Sequence, residues 1–429
     1  MTTDGSARPD AGDALRRTLG VGDAVVIGLG SMIGAGIFAA LTPAARAAGA
    51  GLLIGLGIAG VLAYCNATSS ARLAARYPAS GGTYIYGRER LGEFWGFLAG
   101  WGFVVGKTAS CAAMALTVGW YAWPAHPHLV AVCAVMALTG VNYLGVTKST
   151  WLTRIIVATV LLVLAAMLAS VIGSDATNVA NLSVSGGVSP GGVLQSAGLL
   201  FFAFAGYARI ATLGEEVRDP DRTIPRAITT ALAITLAVYA GVAVAVLMAL
   251  GPHRLAATAT PLVEAVRVAG TPWLAPIMAV GAVLAALGSL LSLLLGVSRT
   301  TLAMARDRHL PGYLDAVHPR FGVPHRAEVA VGAVAAVLAA TVDLRGAIGF
   351  SSFAVLVYYA IANACAFTLR REEGRPPKVI PVFGLLGCAG LALALPAMSI
   401  IVGASVLAVG TMLFWIRSIF GRGASRRFG

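Results

Sequence analysis

Apolar runs of about 20 residues recur along almost the whole chain, and short polar segments separate them. The runs begin near residues 21, 51, 95, 129, 152, 193, 227, 273, 328, 346, 379 and 400. Each run is long enough for a helix to cross a bilayer. Only 11% of the residues are charged, whereas soluble domains carry roughly 25% charged residues. The sequence therefore predicts an all-α polytopic membrane protein with twelve transmembrane helices.

The basic residues are distributed unevenly between the segments that join these runs. With the N-terminus on the inner side, 25 of the 31 Lys and Arg residues fall in inner tails and loops, three in outer loops and three within runs. The positive-inside rule then predicts a multi-pass protein of the cell's inner (plasma) membrane, with cytoplasmic tails at residues 1–20 and 421–429. The net charge of +13 thus reflects membrane topology, and the basic residues are placed to contact lipid headgroups. The charge does not indicate nucleic-acid binding.

Glycines interrupt the first run at Gly28, Gly30, Gly34 and Gly36. Glycine weakens a helix and leaves backbone amides and carbonyls uncovered. Within hydrocarbon, uncovered backbone is tolerated only where it lines a cavity or is buried in protein. A helix broken at this depth presents the amides of a half-helix N-terminus to an anion. The first run therefore predicts a binding site for a small anionic group inside the bilayer.

A second interrupted run begins near residue 193 and contains residues 201–210. The two interruptions occupy corresponding positions in two sets of five runs, over residues 21–174 and 193–370. Matching interruptions are typical of inverted repeats with a central site between them. The sequence thus predicts a 5+5 inverted repeat with discontinuous first and sixth helices, followed by two helices over residues 379–420.

Five segments along nearly the whole chain carry a family resemblance. They are GSMIGAGIF at 30–38; ARYPASGGTYIY at 75–86; FFAFAG at 201–206 with GEEVRDP at 214–220 and IPRA at 224–227; SR at 298–299 with AMARD at 303–307 and Pro311; and HPRFGVP at 318–324. On these segments the chain resembles the amino acid–polyamine–organocation superfamily of permeases. The segment at the second interruption is most similar to bacterial relatives of the cationic amino acid transporters. The resemblance implies the twelve-helix fold with two broken helices and an amino acid as substrate.

The resemblance also implies a substrate site made largely of backbone at both breaks, to which the spacing of serines on the eighth helix adds one side chain. The residues expected there are Met32, Ile33, Gly34, Ala35, Gly36, Phe202, Ala205, Gly206 and Ser289. It implies that the substrate carboxylate meets the amides of Ala35 and Gly36. It places the substrate amino group at the carbonyls of Met32, Phe202 and Ala205. Amides at a helix N-terminus suit an anion, and freed carbonyls suit a cation.

Lys107 lies about twelve residues into the third run, near the expected bilayer centre. A charged side chain at this depth costs several kcal/mol unless it is paired or hydrated. We therefore expect Lys107 to take up and release a proton during transport, with a static contact to a carbonyl as the structural alternative. Proton-coupled relatives place a lysine on the fifth helix, where this chain has Val160. An exchanger without proton coupling is thus the functional alternative.

Side chains near the second break and on the eighth helix are candidates for gating and selectivity. Phe202 and Phe204 are candidates for an aromatic gate over the substrate, with bundle packing as the alternative. Arg209 stands where the family often has an acidic residue, and it disfavours a cationic substrate if its side chain faces the pathway. Ser289 and Ser292 share a helix face and offer hydroxyls to a substrate or a cation, with hydrogen bonding between helices as the alternative. Because no carboxylate stands near them in the sequence, proton coupling is favoured over sodium coupling.

Glu215 and Glu216, beside basic loops, are candidates for a salt-bridged inner gate, with loop anchoring as the alternative. The sequence has no arrangement typical of an enzyme or a metal site, so we expect neither catalysis nor a cofactor. It favours a secondary active transporter of a small neutral amino acid that works by alternating access, coupled to protons or exchanging. The alternatives are a cationic amino acid or polyamine carrier and, in another class, an amino acid sensor that does not transport.

Overall fold

The computed structural model describes residues 19–77, 81–145, 150–184, 188–211 and 217–425, and these ranges are almost entirely helical. The helices of the first half are α1 (Val21–Met32), α2 (Ala35–Ala39), α3 (Leu41–Ala48), α4 (Leu52–Arg76), α5 (Thr83–Leu91), α6 (Glu93–Ala122), α7 (Pro127–Tyr143) and α8 (Thr150–Ile172). Those of the second half are α9 (Pro190–Phe204), α10 (Ala208–Ala211), α11 (Pro220–Ala257), α12 (Pro261–Val268), α13 (Ala275–Arg306), α14 (His325–Thr341), α15 (Leu344–Phe367), α16 (Val379–Ala394) and α17 (Ala397–Ser425).

Length and composition explain why the chain forms a helical bundle. Within the described ranges, eight helical segments are long and apolar enough to cross a membrane, among them Glu93–Ala122 and Leu344–Phe367. Two shorter apolar helices, Pro127–Tyr143 and Val379–Ala394, lie between such segments. The all-helical, multi-pass architecture is thus confirmed, while the number of twelve spans and the repeat relation remain predictions.

The first predicted break is present. α1 ends at Met32, Ile33 and Gly34 depart from helical geometry, and α2 begins at Ala35. Gly34 has φ −101° and ψ −137° and precedes α2 without a side-chain cap. Ala40 has helical torsions and leads from α2 into α3. One apolar run therefore forms two half-helices with uncovered backbone between them.

The second predicted break lies between α9 and α10. The hydroxyl of Ser189 accepts the Gly192 N–H at 3.0 Å, and Pro190 occupies the first helical position, so the start of α9 is capped. The helix ends at Phe204, and a 3₁₀ turn over residues 205–207 precedes the four-residue α10. The second run thus also contains a half-helix with an irregular end.

α6 lies at the centre of the bundle, where it packs against α13 and α15. Small residues permit this close packing, and a Cβ on Gly106 would lie only 2.8 Å from the Cβ of Ala354. By contrast, α16 and α17 expose large apolar side chains such as Leu393 and Met398. An outward-facing apolar surface of this kind fits contact with lipid.

Contacts between loops define two opposite faces of the bundle. At the basic face, α5 meets the loops that follow α13 and α15: Arg88 pairs with Asp307, and Arg90 pairs with Glu373 at 2.5 Å. At the other face, the hydroxyl of Thr42 donates to the carbonyl of Thr258 at 2.8 Å. The short helix α12 lies at this second face and has Pro261 at its first position.

Candidate functional site

A cavity of about 150 Å³ lies beside both breaks, among α6, α9, α13 and α15. Its wall includes Ser31 near the end of α1, Phe202 at the second break and Ser289 within α13. It extends past Arg299 towards Gly82, which precedes α5. The cavity therefore connects the second break and the end of α1 to the basic face. Its volume is below the roughly 300–1,000 Å³ of drug-sized pockets, so it suits a small solute.

Hydroxyl groups from other helices cap the carbonyls at the first break. The hydroxyl of Ser289 donates to the Gly30 carbonyl at 3.1 Å, and that of Tyr239 donates to the Met32 carbonyl at 2.5 Å. Both carbonyls belong to the last turn of α1, which has no following helical amides to pair with them. An unpaired buried carbonyl costs about 1–3 kcal/mol, so these hydroxyls stabilise the break.

The carbonyls at the second break have partners of the same kind. The Tyr239 hydroxyl also lies 3.1 Å from the Ala203 carbonyl, so one side chain of α11 bridges both breaks. The Ala205 carbonyl accepts from Lys107 Nζ at 3.2 Å and from the Tyr359 hydroxyl at 3.4 Å. Donors from α6, α11, α13 and α15 therefore hold the irregular backbone in place.

Lys107 is 6% exposed and lies near the middle of α6. Its hydrogen bond to the Ala205 carbonyl is made to a neutral group, and within the described ranges no carboxylate forms an ion pair with it. A single neutral acceptor compensates poorly for the hydration that an ammonium group loses at membrane depth. Because Lys107 also lines the cavity, it is placed to exchange a proton with water or to meet an anionic ligand there.

Glycine at the breaks is required for close contact between helices. A Cβ on Gly206 would lie 2.2 Å from the carbonyl oxygen of Ser31. A Cβ on Gly36 would lie 2.6 Å from the Cα of Ala203. Both distances are shorter than real Cβ contacts. Packing of α2 on α9 thus accounts for glycine at position 36, beside the contact with a carboxylate that the family resemblance implies.

The predicted site residues fall into two groups. The cavity wall includes Lys107, Phe202, Ala205, Gly206, Arg209 and Ser289. Buried outside this wall are Met32, Ile33, Gly34, Ala35, Gly36 and Phe204. The Phe204 ring packs against Tyr239, with 5.2 Å between ring centroids, whereas Phe202 is in the wall. The contacts of substrate with Ala35 and Gly36 remain predictions, because these residues lie behind the wall.

Three basic side chains, and no acidic one among the described residues, contribute to the cavity wall. Lys107 lies at the second break, Arg209 belongs to α10, and Arg299 lies nearer the basic face. Glu215 and Glu216, the predicted inner gate, lie outside the described residues. This distribution of charge favours a ligand that carries a carboxylate over one with a net positive charge.

Polar contacts link α5 to the loop after α13 near the end of the cavity. The Tyr84 hydroxyl donates to Oδ2 of Asp307 at 2.5 Å and lies 2.8 Å from Nδ1 of His309. Burial, reinforced by the hydrogen bond to Asp307, raises the pKa of Tyr84. Burial, reinforced by the charge of Arg88, lowers the pKa of His309. The cluster therefore contains a neutral histidine at neutral pH.

A second set of contacts links α5 to the loop after α15. Glu373 forms an ion pair with Arg90 at 2.5 Å and accepts a hydrogen bond from Arg76 at 3.3 Å. The hydrogen bond from Arg90, together with that from the Arg370 N–H at 2.8 Å, lowers the pKa of Glu373 to about 2. Glu373 is therefore ionised throughout the physiological range, and the link persists there.

Sequence reasoning does not identify Tyr239, Tyr359 or Arg299 as site residues. Tyr239 and Tyr359 lie within apolar runs, where a tyrosine hydroxyl requires a hydrogen-bond acceptor. That signal indicates a polar partner but does not say which backbone carbonyl it is. Arg299 is close to the end of its run and is interpreted from the sequence as an inner-loop charge, although its side chain contributes to the cavity wall.

Known proteins similar to this chain include three transporters. The profile of the family described as amino acid permease matches residues 23–417. An uncharacterized transporter of Mycobacterium tuberculosis is 70% identical over 415 residues, covering 97% of this chain and 94% of the relative. A branched-chain amino acid permease of Bacillus subtilis is 28% identical over 439 residues, covering 94% of each chain. Cationic amino acid transporter 4 of Homo sapiens is 29% identical over 392 residues, covering 85% of this chain and 61% of the relative.

Proposed function

This chain belongs to the amino acid permease family, and from that premise we propose that it is a secondary active transporter of small neutral amino acids. The observation that carries the proposal is the cavity between the end of α1, the second break and the basic face. Its described lining has three basic side chains and no acidic one. A substrate held there has a route to one side of the membrane. In alternating access, the helices around the breaks then move so that the same site opens to the other side.

The proposed topology has twelve spans in a 5+5 inverted repeat. Residues 21–174 and 193–370 form the repeats, and residues 379–420 form the last two helices. In this topology α14 forms one span, and α9 and α10 together form part of another. The basic face is cytoplasmic in this arrangement, because the positive-inside rule assigns most Lys and Arg to that side. Both termini are then cytoplasmic, the protein resides in the plasma membrane, and the cavity extends towards the cytoplasm.

The charge and volume of the cavity support a small zwitterionic substrate. Lys107, Arg209 and Arg299 attract a carboxylate. The family resemblance places the amino group at carbonyls of the breaks, and the substrate would then share or displace the hydroxyl and Lys107 donors found there. A cationic side chain would face three like charges, whereas a small neutral one fits a cavity of about 150 Å³. The relative named as a branched-chain amino acid permease supports a neutral substrate. The relative named as a cationic amino acid transporter supports the alternative.

Lys107 is the proposed coupling group. When protonated, it donates to the Ala205 carbonyl and presents a positive charge to the substrate carboxylate. Loss of the proton removes the charge that attracts the carboxylate and weakens the hydrogen bond, which the neutral amine still donates, so proton and substrate bind together. Sodium is less favoured because no carboxylate is among the described residues of the cavity wall.

The test is transport by the purified protein in proteoliposomes, with and without an inward proton gradient. Labelled alanine, leucine, lysine and putrescine are offered to wild type and to Lys107→Met. We expect wild type to concentrate a neutral amino acid only with the gradient, and the variant to keep exchange but lose concentration. In the variant, the Tyr359 hydroxyl still contacts the Ala205 carbonyl, so the break retains a donor. The control is Lys378→Met, which changes an exposed lysine resting over Phe367.

Each alternative predicts a different result. Concentration of lysine or putrescine in place of neutral amino acids would support the cationic amino acid or polyamine carrier. Gradient-driven accumulation by Lys107→Met would show that Lys107 is structural. Exchange by wild type without any response to the gradient would identify an exchanger. Binding of amino acids without flux in either assay would support a sensor.

A further inference from the structure

Glu328 on α14 is an acidic side chain that the proposed substrate site does not use. It is 1% exposed, and neither carboxyl oxygen has a hydrogen-bond partner among the described residues. Its polar neighbours are Asn142 on α7 and Ser298 on α13. Asn142 donates to the Leu291 carbonyl at 3.2 Å, and Ser298 donates to the Leu294 carbonyl at 2.8 Å. The Ser298 hydroxyl proton is used in this way, so the second amide N–H of Asn142 is the remaining donor beside Glu328, and the carboxyl group has little compensation for burial.

These surroundings compensate poorly for the hydration that a carboxylate loses on burial. Burying an ionised group without a partner costs several kcal/mol, which burial of the neutral acid avoids. The neutral acid also carries a hydroxyl proton that the carboxylate lacks. Glu328 is thus placed to hold one proton inside the protein in the arrangement described here.

Two more unpartnered polar atoms lie along the same contact between α7 and α14. They are Nδ1 of His325 and Oγ1 of Thr139. His325 precedes Glu328 by almost one helical turn, and a Cβ on Gly332, one turn beyond Glu328, would lie 2.4 Å from Thr139 Oγ1. Buried polar groups nearly always form hydrogen bonds, and water supplies the partner where the protein does not. Water at His325 would give Glu328 a path to the start of α14, while Thr139 lies on the other side of Glu328.

Arg299 connects this path to the cavity. It follows Ser298 in the chain, its side chain contributes to the cavity wall, and its charge acts on Glu328. Within the described ranges Arg299 forms no ion pair. The other titratable groups around Glu328 and its path are Cys111 on α6, His325 on α14 itself, and the ring neighbours of His325, which are His318 and Tyr143.

We propose that Glu328 is a second proton-binding site of the transport cycle, linked to the substrate cavity through Arg299. The inference rests on the proposed transport function. While a substrate carboxylate occupies Arg299, Glu328 keeps its proton. When Arg299 is free and turns towards Glu328, the carboxyl O–H bond breaks, the proton passes to water on the path beside His325, and the carboxylate pairs with the guanidinium. One proton is therefore bound or released whenever Arg299 changes partner.

The experiment measures proton uptake on substrate binding by the purified full-length protein in weakly buffered detergent with a pH-sensitive dye. The probe is an equal mixture of L-alanine, L-valine and L-leucine. We expect Glu328→Gln to take up fewer protons per bound amino acid than wild type. We also expect its affinity to vary less with pH, by up to tenfold per pH unit, because proton and substrate binding are reciprocally linked. The control is Glu372→Gln, the same change at an exposed position, which should match wild type.

Equal proton uptake and equal pH dependence in Glu328→Gln and wild type would overturn the proposal. Infrared difference spectroscopy of wild type, which does not depend on folding of the variant, supplies a second measurement. A carboxylic acid band that responds to ¹³C-labelled glutamate and changes when the probe is added supports the proposal, and its absence contradicts it. If wild type neither binds nor transports amino acids, the proposed function fails. In that case, the pH dependence of the same band without amino acids still shows whether a buried glutamate carries a proton.

Discussion

The close contact between the two broken helices is tested by Gly206→Ala. A Cβ at this position would lie 2.2 Å from the carbonyl oxygen of Ser31 and 2.7 Å from the amide nitrogen of Met32. Because real Cβ contacts essentially never fall below 3.0 Å, the backbone of α1 and that of the second break must separate by about 0.8 Å or more. Both neighbours are backbone atoms, so rotation of a side chain cannot relieve the contact.

Overpacking of this kind costs about 1–3 kcal/mol, which corresponds to about 5- to 150-fold in an equilibrium constant. The cost falls on the arrangement in which both breaks meet at the cavity. We therefore expect substrate affinity and uptake to fall by that factor while the protein still inserts into the membrane. The assay is uptake over a range of substrate concentrations in proteoliposomes that contain equal amounts of protein.

The matched control is Gly57→Ala on α4, where a Cβ would have nothing within 4 Å. Alanine is the better helix former, so this variant should equal wild type or be slightly more stable. Wild-type uptake and affinity in Gly206→Ala would refute the reasoning that the two breaks have to touch at this position.

The remaining predictions concern stability. Tyr239→Phe leaves the Met32 and Ala203 carbonyls without their shared donor, so denaturant unfolding in detergent should show a loss of about 1–3 kcal/mol; the exposed control Tyr313→Phe should show none. The pKa of Glu373 lies at about 2, below its ordinary 4.5, so its ion pairs stabilise the fold above about pH 4.5 and are lost as the pH falls towards 2. Glu373→Gln should therefore melt below wild type at pH 7, with the difference shrinking below about pH 4. Equal melting at pH 7 would count against this link.

The positions of both breaks could be predicted because their causes are local. Glycines within a short apolar segment weaken the helix, and α1 indeed ends at Met32 while α2 begins at Ala35. The family was also predictable, since its motifs are short and spread along the chain, and the profile match over residues 23–417 confirms it.

The partners of the freed backbone could not be predicted, because they come from distant parts of the chain. Tyr239 is 207 residues from Met32, and Ser289 is 259 residues from Gly30. A tyrosine in an apolar run signals only that an acceptor exists. The need for glycine at position 36 to allow helix packing could not be predicted either, because Ala203 approaches Gly36 from another half-helix.

The central claim is that the site recognises the α-carboxylate of a small neutral amino acid. The most direct measurement is displacement of labelled L-leucine from the purified protein by unlabelled L-leucine, by leucinamide and by isopentylamine, the decarboxylated analogue. A hydrogen bond to a charged group contributes about 1.5–3 kcal/mol, so we expect the amide and the amine to bind about 10- to 150-fold more weakly than leucine. Equal displacement by isopentylamine would contradict the account and support a carrier of amines.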